Sequence, residues 1–565
     1  MNMATAPRAA RLSGVDSRRL LLLGGWTLVL LVGAALRLWH FPDRILGDDE
    51  WHALHKALDS GFRGILTSFG QQDYSIPLTA LYHAILRAGG DLTEWTMRGP
   101  LLAAGIAMLL VIPWLLRPLM QPGERLLLGG LLAISPLLIH FSRQARPYTL
   151  AVLLTWVALL AFWHWWHGGR RRWAAAYVIA TALAGWLLPV TLAFTLAPFL
   201  FFGALGVWAL YREGSPAPLF RLIGLGLITL VPLVILIGPP LYFDLNALTG
   251  KAGVHSVTPL TGWIALELFV GASHTPLTLA VLVLAGLGAS VVLRRAPKLT
   301  GYLGFVALIA SIAILSTNAA WIHHGLVVAR YLLPALPLLL LLVAAGVWVL
   351  LKPLPWTARP AVGAGLLAAL YAIGPLPAQY HQPINQFTGH LAYQFDYNFA
   401  RNTIRNQMPR GPTPAFYEFL AEQPPRSRTL VFVPWYVESF WNRLHYHQQA
   451  HRQQILVGLR PGYCIPRPVF GEYLPNAGVA LRNMVHLSDL REMRDTPPAD
   501  YLVFHRDMPR ENAERLNEWL EIRTRKRPLG RLDQCLEQLR ADFGPAAFED
   551  EATVVFRLNP AAPLP

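Results

Sequence analysis

Residues 20–39 read LLLLGGWTLVLLVGAALRLW, and residues 40–50 continue HFPDRILGDDE. The first of these runs carries a single charge, Arg37, and has the ~20 apolar residues that a helix needs to cross a bilayer core. Arg8, Arg11, Arg18 and Arg19 precede it. A secretory signal has a shorter apolar core and a small-residue cleavage pattern after it; this run has neither, so it reads as an uncleaved first span. The acidic triplet Asp48-Asp49-Glu50 then falls just outside that span.

The same pattern continues along the chain. Of its 565 residues 54% are hydrophobic and 14% are charged, where a soluble protein has ~25% charged residues. Acidic residues are sparse up to about Gly374 and ordinary thereafter. Ten further apolar runs follow the first: Leu101–Leu116, Leu126–Phe141, Leu150–Trp166, Ala174–Leu188, Val190–Leu210, Leu222–Leu241, Leu277–Leu293, Tyr302–Leu315, Val327–Leu351 and Ala361–Ile373. About eleven spans are therefore expected. The segment Ile76–Arg87 is amphipathic and reads as a helix on the membrane surface rather than as a span.

Orientation follows from the placement of Arg and Lys. The N-terminal arginines, Arg117 and Arg125, Arg170 to Arg172, Arg212 and Arg221, Arg294 to Lys298, and Lys352 and Arg359 occupy alternate gaps. They share one side, expected to be the cytoplasm. The net charge of +15 is thus the bias of membrane topology and not a nucleic-acid footprint. Residues 40 to about 100, Ser142–Pro147, Tyr242–Pro276, Ser316–Leu326 and everything after Ile373 are expected on the outer side.

From about Gln379 the chain reads as a soluble α/β domain. Thr429–Val433, Gln454–Val457, Tyr501–His505 and Ala552–Leu558 read as strands; Glu438–His447, Glu511–Arg523 and Leu532–Phe543 read as helices. No glycine-rich phosphate loop follows any of the strands. Cys464 and Cys535, the two cysteines, are too few for a cysteine metal site; they form either a disulfide or two free thiols. The expected division is 1–375 in the membrane and 376–565 outside it.

Ionisable groups at the edge of an apolar bundle are costly, which makes them candidates for function. Asp48, Asp49 and Glu50 crowd three carboxylates together, with His52 and His55 close by. Crowding raises a carboxylate pKa, and a carboxylate so raised can serve as a general base; a solvated helix start is the other reading. Arg143 and Arg146, in SRQARPY ending at Tyr148, and Arg330, in ARYLLPALP with Tyr331 and after His323 and His324, stand on the same side. Guanidinium groups there pair with phosphate oxygens or extend to lipid head groups. No set of metal ligands is indicated, and a divalent metal stays possible without being indicated by this pattern.

LRLWH followed by DDEWHAL resembles the start of the polytopic GT-C glycosyltransferases, a group that includes protein O-mannosyltransferases and aminoarabinose transferases (glycosyltransferase family 39-like). The resemblance covers roughly residues 20 to 375 and extends to SRQARPY and ARYLLPALP. It implies a GT-C-like helical membrane domain with a soluble α/β domain on the outer side. It implies Asp49 as the catalytic carboxylate, with Glu50 and Asp48 beside it. Arg330 would meet the lipid phosphate, with Arg143, Arg146, Tyr148, Tyr331 and His324 in donor binding. The donor would be a sugar on a polyprenyl phosphate, and the acceptor a hydroxyl or amine of a lipid, glycan or protein. Transfer would invert the anomeric carbon, at a bacterial inner membrane with the N-terminus cytoplasmic. Two other readings of the charge pattern are a transporter or flippase for an anionic lipid-linked substrate, and a non-catalytic membrane scaffold.

Overall fold

The computed structural model describes residues 12–38, 41, 50–70, 74–90, 92, 94–271, 275–320, 322–323, 325–355, 357–373, 413–425, 427–433, 447, 450–456, 500–506 and 532–565. The chain divides into two compact units. One comprises Met1–Phe41, Asp59–Ala84 and Trp95–Arg401; the other comprises Pro42–Leu58, Ile85–Glu94 and Asn402–Pro565.

The first half of the chain is helical: α1 (Leu12–Leu38), α2 (Glu50–Asp59), α3 (Phe62–Leu66), α4 (Ile76–Arg87), α5 (Glu94–Leu115), α6 (Pro122–Ile134), α7 (Pro136–Ser142), α8 (Tyr148–Gly168) and α9 (Arg171–Leu187). The helices continue with α10 (Leu192–Glu213), α11 (Ala217–Phe243), α12 (Leu245–Thr249), α13 (Pro259–Val270), α14 (Thr275–Arg295), α15 (Pro297–Ser316), α16 (Gly325–Tyr331), α17 (Leu336–Leu350) and α18 (Arg359–Ile373).

Among the described residues, 8 helices are long and apolar enough to cross a membrane, or 9 if the bent pair α6–α7 counts as one span. The expectation of about eleven spans also counted α9 and α18. These have 17 and 15 described residues, about 25 and 22 Å at 1.5 Å per residue, at or below the short end of what spans a ~30 Å core. Arg221 reaches Trp165 and Trp166 at the end of α8, so α9 and α10 together cross and return. The amphipathic segment is α4, whose 12 residues are too short to cross.

Local chemistry sets the breaks. Gly169 and Gly214 adopt φ of 64° and 67°, the left-handed conformation that glycine takes without a Cβ penalty; each closes a helix, α8 and α10. Pro136 has no N–H for the carbonyl of Leu132, so the ladder fails there and α6 and α7 meet at 59°. Pro334 falls in a 3-10 turn, Leu333–Ala335, and the span expected over Val327–Leu351 is divided into α16 and α17.

Small residues let backbones touch, a recurrent way of packing apolar helices. A Cβ on Gly288 would fall on the carbonyl oxygen of Leu342, and one on Gly346 on that of Leu284; α14 and α17 therefore meet backbone to backbone. Trp156 Nε1 donates to Pro334 O at 2.9 Å, and Tyr302 Oη donates to Leu159 O at 2.9 Å, tying α8 to the α16–α17 break and to α15.

The Arg-rich gaps do share one face. The buried Glu124 accepts from Arg295 at 2.6 and 3.0 Å and caps its own helix through Gln121 N at 2.6 Å. Arg221 stands over the rings of Trp165 and Trp166, Arg117 over Trp114, and Arg359 over Trp348. Trp348 Nε1 in turn donates to Gln121. Arginine and tryptophan together mark a membrane–water interface.

The second unit holds a five-stranded sheet, order β2-β1-β3-β5-β4: β1 (Thr429–Val433), β2 (Gln454–Leu456), β3 (Tyr501–His505), β4 (Phe548–Glu549) and β5 (Thr553–Arg557). The β1 strand pairs parallel with β2 and β3, and β5 antiparallel with β3 and β4. The four strands read from sequence are all present, as is the helix Leu532–Phe543; the helix Ala415–Ala421 and β4 are additions. The Glu511–Arg523 helix, all but His447 of the Glu438–His447 helix, and Cys464 lie outside the described residues. Tyr417 and three imidazoles form an aromatic nest beside the sheet. Tyr417 Oη lies 2.6 Å from His505 Nε2, and its ring is 4.8 and 5.0 Å from those of His447 and His451. Burial first, and then the neighbouring His505, push the fully buried His451 down to about 3.

Candidate functional site

The first unit gathers three of the expected site residues around one ring. Tyr148 opens α8 and is buried. The guanidinium carbon of Arg146 stands 5.7 Å from the centroid of its ring, and that of Arg330 stands 5.8 Å away. Arg330 also lies 5.4 Å from the ring of Tyr331. Cations over aromatic faces are attracted by the ring quadrupole, so the Tyr148 ring brings the two guanidinium groups into one neighbourhood. Arg143 and Arg146 are only 2% and 1% exposed. That is far from the snorkelling geometry in which a guanidinium reaches out to bulk water or head groups.

The loop that carries Arg143 and Arg146 is positioned by Arg37, the lone charge in the first apolar run. It is fully buried. Its Nη1 and Nη2 donate to the carbonyls of Ala133 and Leu132, each at 3.0 Å, so it satisfies the carbonyl that Pro136 leaves unmet. Nη1 also reaches Gly33 O, and Nε reaches Ser142 Oγ at 3.2 Å. Ser142 is the residue next to Arg143 in sequence and donates to Leu138 O. A Cβ on Gly105 of α5 would collide with the Ser142 hydroxyl, so glycine is required where α5 passes. Seven residues earlier on the same face of α5 stands Arg98, also buried.

A second cluster ties the neighbouring loops together. Asp244, at the end of α11, accepts from Ser68 Oγ, Phe69 N and Gly70 N at 2.8, 2.8 and 2.9 Å. Tyr74, which adopts a φ of 68°, donates to Ala247 O and lies under Lys251. The His255 and His323 rings are 4.1 Å apart, and Thr261 Oγ1 donates to His323 O at 2.9 Å. Partial burial and then the adjacent His255 lower the His323 pKa, which keeps it neutral near pH 7.

The acidic triplet belongs to the second unit. Asp48 and Asp49 lie outside the described residues, as does His324. Glu50 begins α2 and is 2% exposed. Glu50, Ala53, Lys56 and Ala57 form one buried stripe of that helix. Glu50 thus opens a helix, as the alternative reading of the triplet expects, but is buried rather than solvated.

Sequence reasoning missed Arg37, Arg98 and His255 as functional candidates. Arg37 had a signal: a single charge in an apolar run of 20 residues marks a specific partner. His255 had none, because its neighbour is contributed by a loop 68 residues away in sequence.

No family model matches the sequence, and no curated protein does. Solved structures do match. The chain is similar to ArnT from Cupriavidus metallidurans bound to undecaprenyl phosphate, with a TM-score of 0.53 and 13% identity over 96% of this chain and 99% of that one. For the same protein in the apo state the TM-score is 0.54 at 14% identity, over 96% and 100%. At such identities the likeness is one of fold alone, and the fold of this chain is ArnT-like.

Proposed function

We propose that this chain is a multi-pass membrane glycosyltransferase that moves a sugar from a polyprenyl phosphate to an acceptor hydroxyl or amine on the outer face of the membrane. The observation that carries the reading is the pair of guanidinium groups, Arg146 and Arg330, converging on Tyr148. Forked donors gathered at one aromatic ring suit a phosphate. The fold supports it, since the matching ArnT structure was solved with undecaprenyl phosphate bound.

In this mechanism Asp49 takes the proton from the acceptor hydroxyl, with Glu50 and Asp48 shaping its charge. The freed oxygen attacks the anomeric carbon from the face opposite the phosphate and inverts it. The bond from that carbon to the phosphate oxygen breaks, and the electron pair leaves with the polyprenyl phosphate. Arg143, Arg146 and Arg330 stabilise the negative charge gathering there; Tyr148, Tyr331 and His324 hold the donor. The Arg-rich face lies in the cytoplasm of a bacterial inner membrane, and the region after residue 375 forms a periplasmic α/β domain.

The test is turnover in proteoliposomes supplied with undecaprenyl-phosphate hexoses and pentoses and a cell-envelope acceptor extract. Release of undecaprenyl phosphate from one donor is expected. Asp49→Asn should lower the rate ~10²–10⁴-fold, the usual contribution of a general base. Full activity in that variant refutes the assignment of the base, and failure of every donor to turn over refutes the transferase.

A further inference from the structure

A basic cavity lies at the opposite end of α8 from Tyr148. It has a volume of about 320 Å³ and is lined by Arg117, His164, His167, Arg170, Arg172 and Trp173. From Tyr148 to Gly168 the helix rises about 30 Å, the thickness of a hydrocarbon core. The cavity therefore stands at the other membrane face, remote from the site described above.

Among the described residues, nothing acidic lines it. The contrast with Arg295 on the same face is instructive, since that arginine is neutralised by Glu124. The aromatic groups hold the walls: His164 stacks on Trp173 at 4.8 Å, Arg172 stands over Trp173 at 5.5 Å, and Trp163 packs on His167 at 3.9 Å. The N-terminus of α9 opens here with no side-chain cap on Arg170, so its first N–H groups also face the charge-rich turn.

A lipid path leads out of the cavity. Leu110 and Trp114 succeed one another along one face of α5 and are 42% and 49% exposed; Arg117, in the turn just after the helix, stands over the Trp114 ring at 4.9 Å. The stripe runs from the guanidinium of Arg117 into the region where acyl chains lie. A phosphate in the cavity would thus carry its apolar tail along α5.

We propose that this cavity binds the phosphate headgroup of one anionic phospholipid from the leaflet on the Arg-rich side. Basic pockets between membrane helices recognise such head groups. The site is independent of the transferase reading and would persist if that reading failed.

The experiment is native mass spectrometry of the delipidated full-length protein in detergent, titrated with phosphatidylglycerol, with phosphatidylcholine, and with inorganic phosphate. One phosphatidylglycerol is expected to be retained in preference to phosphatidylcholine. The variant Arg117→Gln/Arg170→Gln/Arg172→Gln should bind it roughly a hundredfold more weakly, about fivefold for each arginine lost at a membrane surface. The single Arg170→Gln variant, in an exposed turn, gives the smaller loss should the triple variant not fold. Equal retention of the two lipids, or unchanged retention by Arg170→Gln, overturns the proposal. Displacement of phosphatidylglycerol by inorganic phosphate overturns the lipid assignment in favour of a free-anion site.

Discussion

Arg37→Leu tests whether one buried guanidinium holds the donor-site loop in place. Leucine fills most of the volume but gives no hydrogen bond to Leu132 O, Ala133 O or Ser142 Oγ. Gly33 O is four residues back in the same helix and keeps its helical partner. The two carbonyls of the α6–α7 break are left in an apolar bundle, at ~1–3 kcal/mol each, or roughly 2–6 kcal/mol together. Removing a buried charge returns part of that cost, which places the net loss in the lower half, about 2–4 kcal/mol. Arg37→Lys retains the charge and reaches fewer acceptors, so its loss should be intermediate. Denaturant unfolding in a mild detergent measures the stability, and titration with undecaprenyl phosphate measures the site. Both should weaken together, because Ser142 leads directly into Arg143 and Arg146. An Arg37→Leu protein with the parent's unfolding midpoint and undiminished affinity would refute the positioning role.

Three other outcomes are expected. Arg330→Ala should weaken donor binding by roughly ten- to a hundredfold, the value of a charge-assisted hydrogen bond, read as a raised donor KM; unchanged donor kinetics remove its phosphate role. Glu124→Ala should destabilise the membrane unit by about 3 kcal/mol, the low end for breaking a buried pair, because Arg295 is 29% exposed and water softens its loss; thermal unfolding in detergent checks it. The sheet-bearing unit should lose stability as pH falls from 6.5 toward about 3. In that window unfolded His451 binds a proton and folded His451 does not, so the slope is about 1.4 kcal/mol per pH unit. Hydrogen exchange of β1 and β3 against pH reads this slope, and His451→Phe should flatten it; an unaltered slope in the variant assigns the dependence elsewhere.

The resemblance stated from LRLWH, DDEWHAL and the two arginine motifs reached the correct fold at an identity near 13%. It could do so because spans, their order and the placement of arginine are one-dimensional properties, imposed by a bilayer that excludes unmet backbone groups. The strands β1, β2, β3 and β5 were legible for a similar reason: short β-branched runs between turn residues. Span count was less legible, since α9 and α18 are apolar like the other helices but have only 17 and 15 described residues.

What the sequence determined by itself was therefore the helical membrane class, the sharing of one face by the arginine gaps, and the grouping of Arg143, Arg146 and Arg330 on the other. It also held Arg37 as a lone charge in an apolar run, a signal that the reading of the sequence passed over. Tertiary structure alone decided that Arg37 completes a proline-broken ladder in another helix, and that Arg146 and Arg330 share the ring of Tyr148. It also decided that His255 meets His323, and that the cations at the far end of α8 surround a cavity instead of a flat surface. Each of these depends on side chains from distant segments meeting at 3–6 Å. Such contacts are set by the bends at Pro136 and Pro334 and by the glycine contacts between helices, and no local period in the chain encodes them.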